Sequence, residues 1–297
     1  MSVRPSPRTA NALPTDLDLA PTTREPDRIS TQADLIAVGG AEDKEDRKHV
    51  LRHFYTCAGG PEAHIVVIPA ASGIPDILSE LYHKVFTSLG APSDRISTLD
   101  IRNPIEARNP AAAELIQSCS AIYFTGGDQE RLADVLGGTN LMELIHRRWQ
   151  QGAVVIGGTS AGASALGHRM ISRGYSGETP TPSLVSVKAG LGIFPHAIID
   201  QHFHNRNRLA RLLTAVAYHP DCLGIGIDED TAAVIRHDNT LEVIGSGTVT
   251  LVDGQASTTN VTDIPSDRPY TLHDTKVHFL VAGSRFALST RQPIATT

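Results

Sequence analysis

Short apolar runs alternate with amphipathic stretches through the first half of the chain, and this alternation restricts the possible folds more than any other feature. The stretches that predict strands lie at 35–38, 65–68, 95–101, 121–124 and 153–156. Helical patterns lie at 41–58, 77–90, 111–117, 129–136, 141–149 and, farther along, 209–217. Apolar strands that alternate with helices are typical of a mostly parallel sheet with helices on both faces. The predicted fold class is therefore three-layer α/β.

Beyond residue 222 the pattern changes to short strands without helices between them. We predict these strands at 225–227, 232–236, 241–244, 248–252 and 277–281. Asp238-Asn239 and Asp253-Gly254 are turn signals between them, as expected for hairpins. We interpret them as C-terminal hairpin strands at one end of the same sheet rather than as a second core. The sequence thus predicts a single α/β domain over residues 33–287.

The two ends of the chain lack this apolar periodicity. Residues 1–32 are rich in Pro, Thr, Arg and Asp, and residues 288–297 are similar. We therefore predict a flexible tail at each end. The sequence contains no run of about 18 apolar residues and no secretory signal pattern.

Composition excludes several functional classes. Hydrophobic residues make up 40% of the 297 residues, and the formal net charge of −6 argues against general nucleic-acid binding. Cys57, Cys119 and Cys222 form no CxxC pair and are too few for a disulfide framework. No group of His, Cys, Asp and Glu has metal-ligand spacing. We expect a soluble cytoplasmic protein with no metal or other cofactor and with no membrane or nucleic-acid partner.

The sharpest local signal is the segment AVVIGGTSAGASALG at 153–167. Its strand runs into Gly158-Thr159-Ser160-Ala161-Gly162, which matches the G-x-S-x-G nucleophile elbow in a strand–turn–helix context. Such a turn needs neighbours without bulk, and the helix N-terminus favours developing negative charge. Ser160 is therefore the candidate nucleophile. The alternative is a glycine-rich turn that binds an anion or only packs tightly.

A serine nucleophile needs a base within hydrogen-bond reach and a third group that orients the base. The segment IIDQHFHNRNRLARLL at 198–213 places His202 at the end of a predicted strand, where the sites of α/β proteins form. His202 is the candidate base, and His204 competes with it. The orienting acid is Glu229 or Asp228, which also follow a predicted strand. The residues alone leave this choice open.

Two further features could serve binding. Gly126-Gly127 follows a predicted strand and precedes a helix, so its N–H groups could form an oxyanion site; a plain turn is the alternative. Arg206, Arg208 and Arg211 form a cluster that can pair with carboxylates bidentately. The alternative is that they lie on the exposed face of an ordinary helix.

Several of these segments occur together in a fixed order. They are GGAEDK (39–44), FTGGDQERL (124–132), GGTSAGAS (157–164), DQHFHNRNRLARL (200–212) and GIGIDEDTA (224–232). With this combination the chain resembles the cyanophycinases, serine exopeptidases of the peptidase E superfamily, over residues 34–285. The resemblance implies a class I glutamine-amidotransferase-like fold. It also implies hydrolysis of cyanophycin, a polyaspartate chain with arginine joined to each β-carboxylate, to β-Asp-Arg dipeptides through an acyl-enzyme.

The resemblance also implies roles for individual residues. Ser160 would be the nucleophile, His202 the base and Glu229 the acid, with oxyanion N–H groups at Gly127 and Ala161. The substrate-binding positions that it implies are Gln129, Glu178, Asp200, Gln201, Arg206, Arg208 and Arg211. We expect the cyanophycin polymer as the partner and a homodimer as the assembly.

Two alternatives to this function stay open. A peptidase E-like aspartyl dipeptidase would keep the chemistry and act on short peptides, but the arginine cluster and Gln201 favour the polymer. A catalytically silent binding protein of the amidotransferase-like fold would have no need of Ser160, His202 and an acid together. Ser160 excludes glutaminase chemistry of the kind that uses a cysteine at the elbow.

Overall fold

The computed structural model describes residues 34–177 and 179–295 of the chain. Its α-helices are α1 (His49–Cys57), α2 (Pro75–Leu89), α3 (Pro110–Ser118), α4 (Gln129–Leu136), α5 (Asn140–Gln150), α6 (Ala161–Ser164) and α7 (Leu209–Tyr218). The strands up to residue 201 are β1 (Leu35–Val38), β2 (Ile65–Ile68), β3 (Ile96–Thr98), β4 (Ala121–Phe124), β5 (Val155–Thr159), β6 (Arg169–Gly174), β7 (Val185–Ala189) and β8 (Ala197–Gln201). The later strands are β9 (Leu223–Ile227), β10 (Thr231–Ile235), β11 (Thr240–Gly245), β12 (Thr248–Asp253), β13 (Thr258–Thr259), β14 (Leu272–His273), β15 (Lys276–Val281), β16 (Arg285–Ala287) and β17 (Gln292–Ile294). The predicted N-terminal tail, 1–32, lies outside the described residues.

Nine strands form the main sheet, in the order β17-β16-β11-β10-β1-β5-β4-β2-β3. Within this sheet the strands β1, β5, β4, β2 and β3 are parallel to one another. On the other side of β1, the strands β10, β11, β16 and β17 pair in antiparallel fashion. The predicted α/β class with a largely parallel sheet is confirmed. In the register of β1 with β5, Val38 lies opposite Thr159. The segments that follow these two strands therefore emerge side by side at one edge of the sheet.

A second sheet of four strands has the order β15-β12-β9-β8. β8 and β9 are parallel and are connected through α7. The prediction that all C-terminal strands extend one sheet is therefore wrong: β10 and β11 do so, whereas β9, β12 and β15 belong to the second sheet. Both groups are short apolar strands, and the difference depends on the distant pairing of Leu35 with Ile235, which local patterns do not reveal.

The two sheets share one large core. Ile225 of β9 and Val249 and Leu251 of β12 belong to the same buried apolar cluster as β1, β4 and β5. A smaller cluster lies beneath α7, around Phe203 and Leu212. On the main sheet, Tyr123 of β4 packs against Phe54 of α1, with ring centroids 5.0 Å apart. Because apolar side chains of both sheets are removed from water together, the relative position of the sheets is fixed by packing.

Two local predictions need correction, and one hairpin is new. α1 begins at His49 rather than at 41, because the Asp43 carboxylate accepts the N–H groups of Glu45, Asp46 and Lys48 and stabilises a turn. The hairpin of β6 and β7 was not predicted from the sequence.

No helix in 34–177 or 179–295 is both long and apolar enough to cross a membrane.

The predicted flexible C-terminal tail, 288–297, also needs correction over its described residues, 288–295. Gln292–Ile294 pairs with Arg285–Ala287 as the edge strand of the main sheet. Arg291 is buried, and its Nη1 donates to Oδ1 of Asp253 at 2.6 Å. An ion pair and a strand ladder therefore fix residues that have no apolar periodicity.

Candidate active site

The chain makes a sharp turn at Ser160. β5 ends at Thr159, α6 begins one residue after Ser160, and Ser160 itself has φ 53° and ψ −116°. A side chain at such a positive φ is strained and persists only where its surroundings hold it. The Ser160 N–H donates to the Val38 carbonyl at 3.0 Å. At Gly162 a Cβ atom would lie 2.4 Å from the Phe124 carbonyl oxygen, so packing requires the second glycine of the G-x-S-x-G motif.

A histidine and a carboxylate lie in line with the Ser160 hydroxyl. Nε2 of His202 is 3.1 Å from Oγ of Ser160, and Nδ1 of His202 is 2.6 Å from Oε1 of Glu229. His202 directly follows β8, and Glu229 lies in the turn between β9 and β10. An ionised carboxylate only accepts hydrogen bonds, so Nδ1 carries the hydrogen and Nε2 presents its lone pair to the hydroxyl. This arrangement can remove a proton from Ser160.

Burial controls the charge of His202. It lowers the pKa of the imidazole below the usual 6.5, and the hydrogen bond that His202 donates to Glu229 opposes this effect without cancelling it. The positive charge of Arg206 lowers the pKa further. The neutral form, which can accept a proton, therefore predominates at neutral pH.

The structure distinguishes the two carboxylates that the sequence left open. Glu229 faces His202, whereas Asp228 accepts hydrogen bonds from the backbone N–H and Nδ1 of His204 and from Oγ1 of Thr248. Burial alone would raise the pKa of Asp228, but these hydrogen bonds outweigh it and the pKa is lowered. Asp228 and His204 thus form a separate pair beside the Ser160 site, and neither touches the Ser160 hydroxyl.

The second predicted glycine turn lies against the nucleophile elbow. A Cβ atom on Gly126 would be 3.3 Å from Cβ and 3.7 Å from Oγ of Ser160. Within the described part of the chain, the N–H groups of Gly127 and Ala161 have no intramolecular acceptor. Gly127 follows Gly126, which lies against Ser160, and Ala161 follows Ser160 as the first residue of α6. Both N–H groups are therefore free to bind an oxyanion formed at Ser160.

The arginine cluster is only partly exposed. Asp200 is fully buried, and the Arg211 guanidinium pairs with both of its oxygens, through Nε at 2.6 Å and through Nη2. Arg208 is also buried, and its Nη1 donates to the Gln201 carbonyl at 2.6 Å and approaches Asp200 at 3.4 Å. Arg208 and Arg211 neutralise a buried aspartate, and Arg206 is the exposed member. A substrate-binding role for each of the three stays a prediction.

The remaining expected binding residues have different surroundings. Gln201 is buried, with Oε1 at 3.4 Å from Oγ of Ser160. The Gln129 amide donates to the Ile171 and Ser172 carbonyls of β6, at 2.9 and 3.0 Å. Gln201 is thus next to the nucleophile, whereas Gln129 connects α4 to the β6–β7 hairpin. Glu178 lies outside the described residues.

One part of the site was not predicted. Glu42, in the GGAEDK segment, is buried and accepts hydrogen bonds from Thr159, Tyr82 and Tyr123. The position of Glu42 just after β1 could have indicated its place near Ser160, because the segments that follow neighbouring parallel strands lie at the same edge of the sheet. This inference requires knowing that β1 pairs with β5, which the motif alone does not show.

An α/β fold with a serine at a nucleophile elbow and a histidine–carboxylate pair beside it defines the class of serine hydrolases. Comparison with known proteins identifies the group within that class. The sequence profile of peptidase family S51 matches residues 35–244, and the chain belongs to this family. The prediction of a serine peptidase is confirmed.

The relatives support the same placement. The cyanophycinase of Geminocystis herdmanii is 48% identical over 265 residues, which cover 89% of this chain and 97% of that protein. The cyanophycinase of Trichormus variabilis is 45% identical over 263 residues, or 88% of each chain. Among solved structures, a peptidase from an acI-B1 actinobacterium has a TM-score of 0.62 at 24% identity and covers 88% of this chain and 98% of its own. That likeness concerns the fold.

Proposed function

We propose that this protein is a serine exopeptidase that hydrolyses cyanophycin to β-Asp-Arg dipeptides through an acyl-enzyme on Ser160. The observation that carries the proposal is the aligned series of Ser160, His202 and Glu229, with contacts of 3.1 and 2.6 Å. It occurs in an S51 chain that is 48% identical to a cyanophycinase along nearly its whole length.

The geometry supports a two-step reaction. His202 Nε2 takes the proton of Ser160 as Oγ attacks the carbonyl carbon of the scissile amide, and the N–H groups of Gly127 and Ala161 bind the resulting oxyanion. His202 then donates the proton to the leaving amine, which leaves an ester on Ser160. Water attacks this ester in the same way, with His202 as the base. Glu229 holds the imidazole in the required tautomer throughout.

Substrate binding is proposed to depend on groups around this centre. Arg206 is the exposed guanidinium nearest the site in sequence, and the polymer carries carboxylates that a guanidinium binds with two aligned donors. Gln201 is close enough to Ser160 to contact the residue being cleaved. Gln129, Arg208 and Arg211 donate hydrogen bonds within the protein, and with Asp200 they would hold these groups in place.

The decisive experiment is incubation of the purified protein with cyanophycin and mass analysis of the products. We expect release of β-Asp-Arg, and Ser160→Ala protein serves as the matched control. The same assay with Asp-Xaa dipeptides tests the alternative. Faster cleavage of those dipeptides than of the polymer would replace this proposal with an aspartyl dipeptidase. Absence of both activities, with Ser160 unreactive to a fluorophosphonate, would indicate a binding protein.

We also propose a homodimer that acts in the cytoplasm. An exposed apolar stripe on β15, formed by Val277, Phe279 and Val281, supports self-association. Cys57, Cys119 and Cys222 are free thiols, as is usual in a reducing compartment. Light scattering over a range of protein concentrations tests the dimer, and cell fractionation tests the location. A monomer at all concentrations, or recovery outside the cytoplasm, would contradict the respective part.

A further inference from the structure

The loop formed by residues 39–44, GGAEDK, follows β1 and contacts the elements that carry all three members of the proposed triad. The mechanism above does not use it. It lies beside the elbow because β1 and β5 are parallel neighbours with Val38 opposite Thr159.

The first contact is with the nucleophile elbow. Thr159, the residue before Ser160, donates its Oγ1 hydrogen to Oε2 of Glu42 at 2.7 Å. The Ser160 N–H donates to Val38, the last residue before the loop, at 3.0 Å. The strained backbone of Ser160 is thus attached through both its own N–H and the preceding side chain.

The second contact is with the histidine. The His202 N–H donates to the Gly39 carbonyl at 2.8 Å. Gly40 has φ 95°, and a Cβ atom there would lie 2.5 Å from Nε2 and Cε1 of His202. The imidazole therefore rests directly on the Gly40 backbone, which limits how far the ring can move away from Ser160.

The third contact is with the turn that carries Glu229. The Asp230 N–H donates to the Gly40 carbonyl at 2.9 Å, and the Asp43 N–H donates to Oδ1 of Asp230 at 2.9 Å. Asp230, the residue after Glu229, is therefore held to the loop by hydrogen bonds at its N–H group and at its carboxylate. The loop therefore contacts the serine, histidine and acid elements, which come from two different sheets.

Glu42 holds the loop in this position. It is 3% exposed, and Tyr82 and Tyr123 donate their hydroxyl hydrogens to its Oε1 at 2.6 and 3.2 Å. Lys44 Nζ lies 3.0 Å from the same oxygen and balances the charge. A buried carboxylate is tolerated only with such partners. Once paired in this way, it accepts hydrogen bonds from three directions, which defines its position more tightly than an apolar side chain would.

We propose that Glu42 is a positioning residue for Ser160. Through Glu42, the 39–44 loop keeps the Ser160 hydroxyl and the His202 imidazole at hydrogen-bond distance for proton transfer. The proposal rests on the function proposed above. Glu42 contacts the elbow through Thr159 and does not touch the reacting atoms, so its removal should lower the rate of the chemical step and leave substrate binding intact.

The test compares Glu42→Gln with Glu45→Gln, an exposed control four positions before His49. We expect Glu42→Gln to lower kcat by about 10- to 100-fold, as for a displaced catalytic group, with KM changed by less than about threefold. The rate of Ser160 labelling by a fluorophosphonate should fall in parallel. Glu45→Gln should match the wild type in both assays. Circular dichroism and active-site titration correct for any unfolded fraction.

A double-mutant cycle separates positioning from general stability. Thr159→Val removes the hydroxyl from the other side of the contact and should reproduce the loss in kcat, whereas Thr159→Ser should retain activity. The double variant with Glu42→Gln should be no slower than the single variants, because both remove one interaction. Wild-type kcat in folded Glu42→Gln protein, or additive losses, would overturn the proposal. Labelling does not use the polymer, so failure of the cyanophycin assay alone would refute the proposed substrate and leave this inference standing.

Discussion

At the scale of single residues, the Ser160 hydroxyl is the group on which the proposed chemistry depends. Ser160→Ala removes one small polar atom, so the free energy of unfolding should change by less than about 1 kcal/mol. Hydrolysis should fall by several orders of magnitude, as for other triad nucleophiles. Urea denaturation and the product assay measure the two effects. Activity above about a tenth of wild type would contradict the assignment.

The lowered pKa of His202 predicts the pH dependence. The neutral imidazole is the active form, so the rate of Ser160 labelling should decrease on the acid side through an apparent pKa below the usual histidine value of 6.5. Burial is the main cause and the Arg206 charge adds to it. Arg206→Gln removes a charge that disfavours the imidazolium, so the acid limb should move to higher pH. A limb that stays in place or moves to lower pH would show that Arg206 does not act on His202.

Arg206 and Arg211 should respond differently to substitution. Arg211→Ala leaves Asp200 buried without its main partner and should cost about 3–5 kcal/mol of stability. Arg206→Ala should change stability by less than about 0.5 kcal/mol and lower kcat/KM for the polymer about ten- to a hundredfold. Urea titrations and kinetics on the same preparations provide the comparison. The reverse pattern would mean that Arg211 is the residue that contacts substrate.

At the scale of elements, the edge strand β17 is predicted to contribute to stability through Arg291. This side chain is buried, donates to Oδ1 of Asp253 at 2.6 Å and also binds the Asp221 carbonyl. Arg291→Leu leaves Asp253 buried without its cation and should lower the free energy of unfolding by about 3–5 kcal/mol. Gln292→Ala, at the exposed first residue of β17, is the control. Equal stability of the two variants in urea would show that the pair contributes nothing.

Local patterns predicted most elements, and long-range contacts explain those that were missed. The strand at 121–124 and the helix at 129–136 agree with the structure in both bounds, because apolar runs and amphipathic periodicity are properties of adjacent residues. Ser160 and His202 were candidates from their motifs, whereas the residues left the acid open between Glu229 and Asp228 and the family resemblance implied Glu229. The role of Asp43 in delaying α1, the split of the C-terminal strands between two sheets and the burial of Arg208 and Arg211 all depend on hydrogen bonds or pairings that periodicity does not encode.

At the scale of the whole molecule, the proposed triad joins two sheets. Ser160 follows β5 of the main sheet, whereas His202 and Glu229 follow β8 and β9 of the second sheet. Since both sheets contribute to one buried cluster, we expect them to unfold together. In a urea titration, loss of Ser160 labelling and loss of the far-ultraviolet circular dichroism signal should have the same midpoint. Earlier loss of labelling would show that the second sheet separates while the main sheet remains folded.

The pairing of β1 with β10 also has a consequence during protein synthesis. β1 lies at the centre of the main sheet, yet its antiparallel partner residues, 232–235, are translated long after it. Glu229 is translated just before these residues. A nascent chain therefore carries Ser160 without its histidine and acid until residues 202 and 229 have left the ribosome. Peptidase activity would begin only after residues 202, 229 and 232–235 have emerged, so the order of the strands delays hydrolysis until both sheets can form.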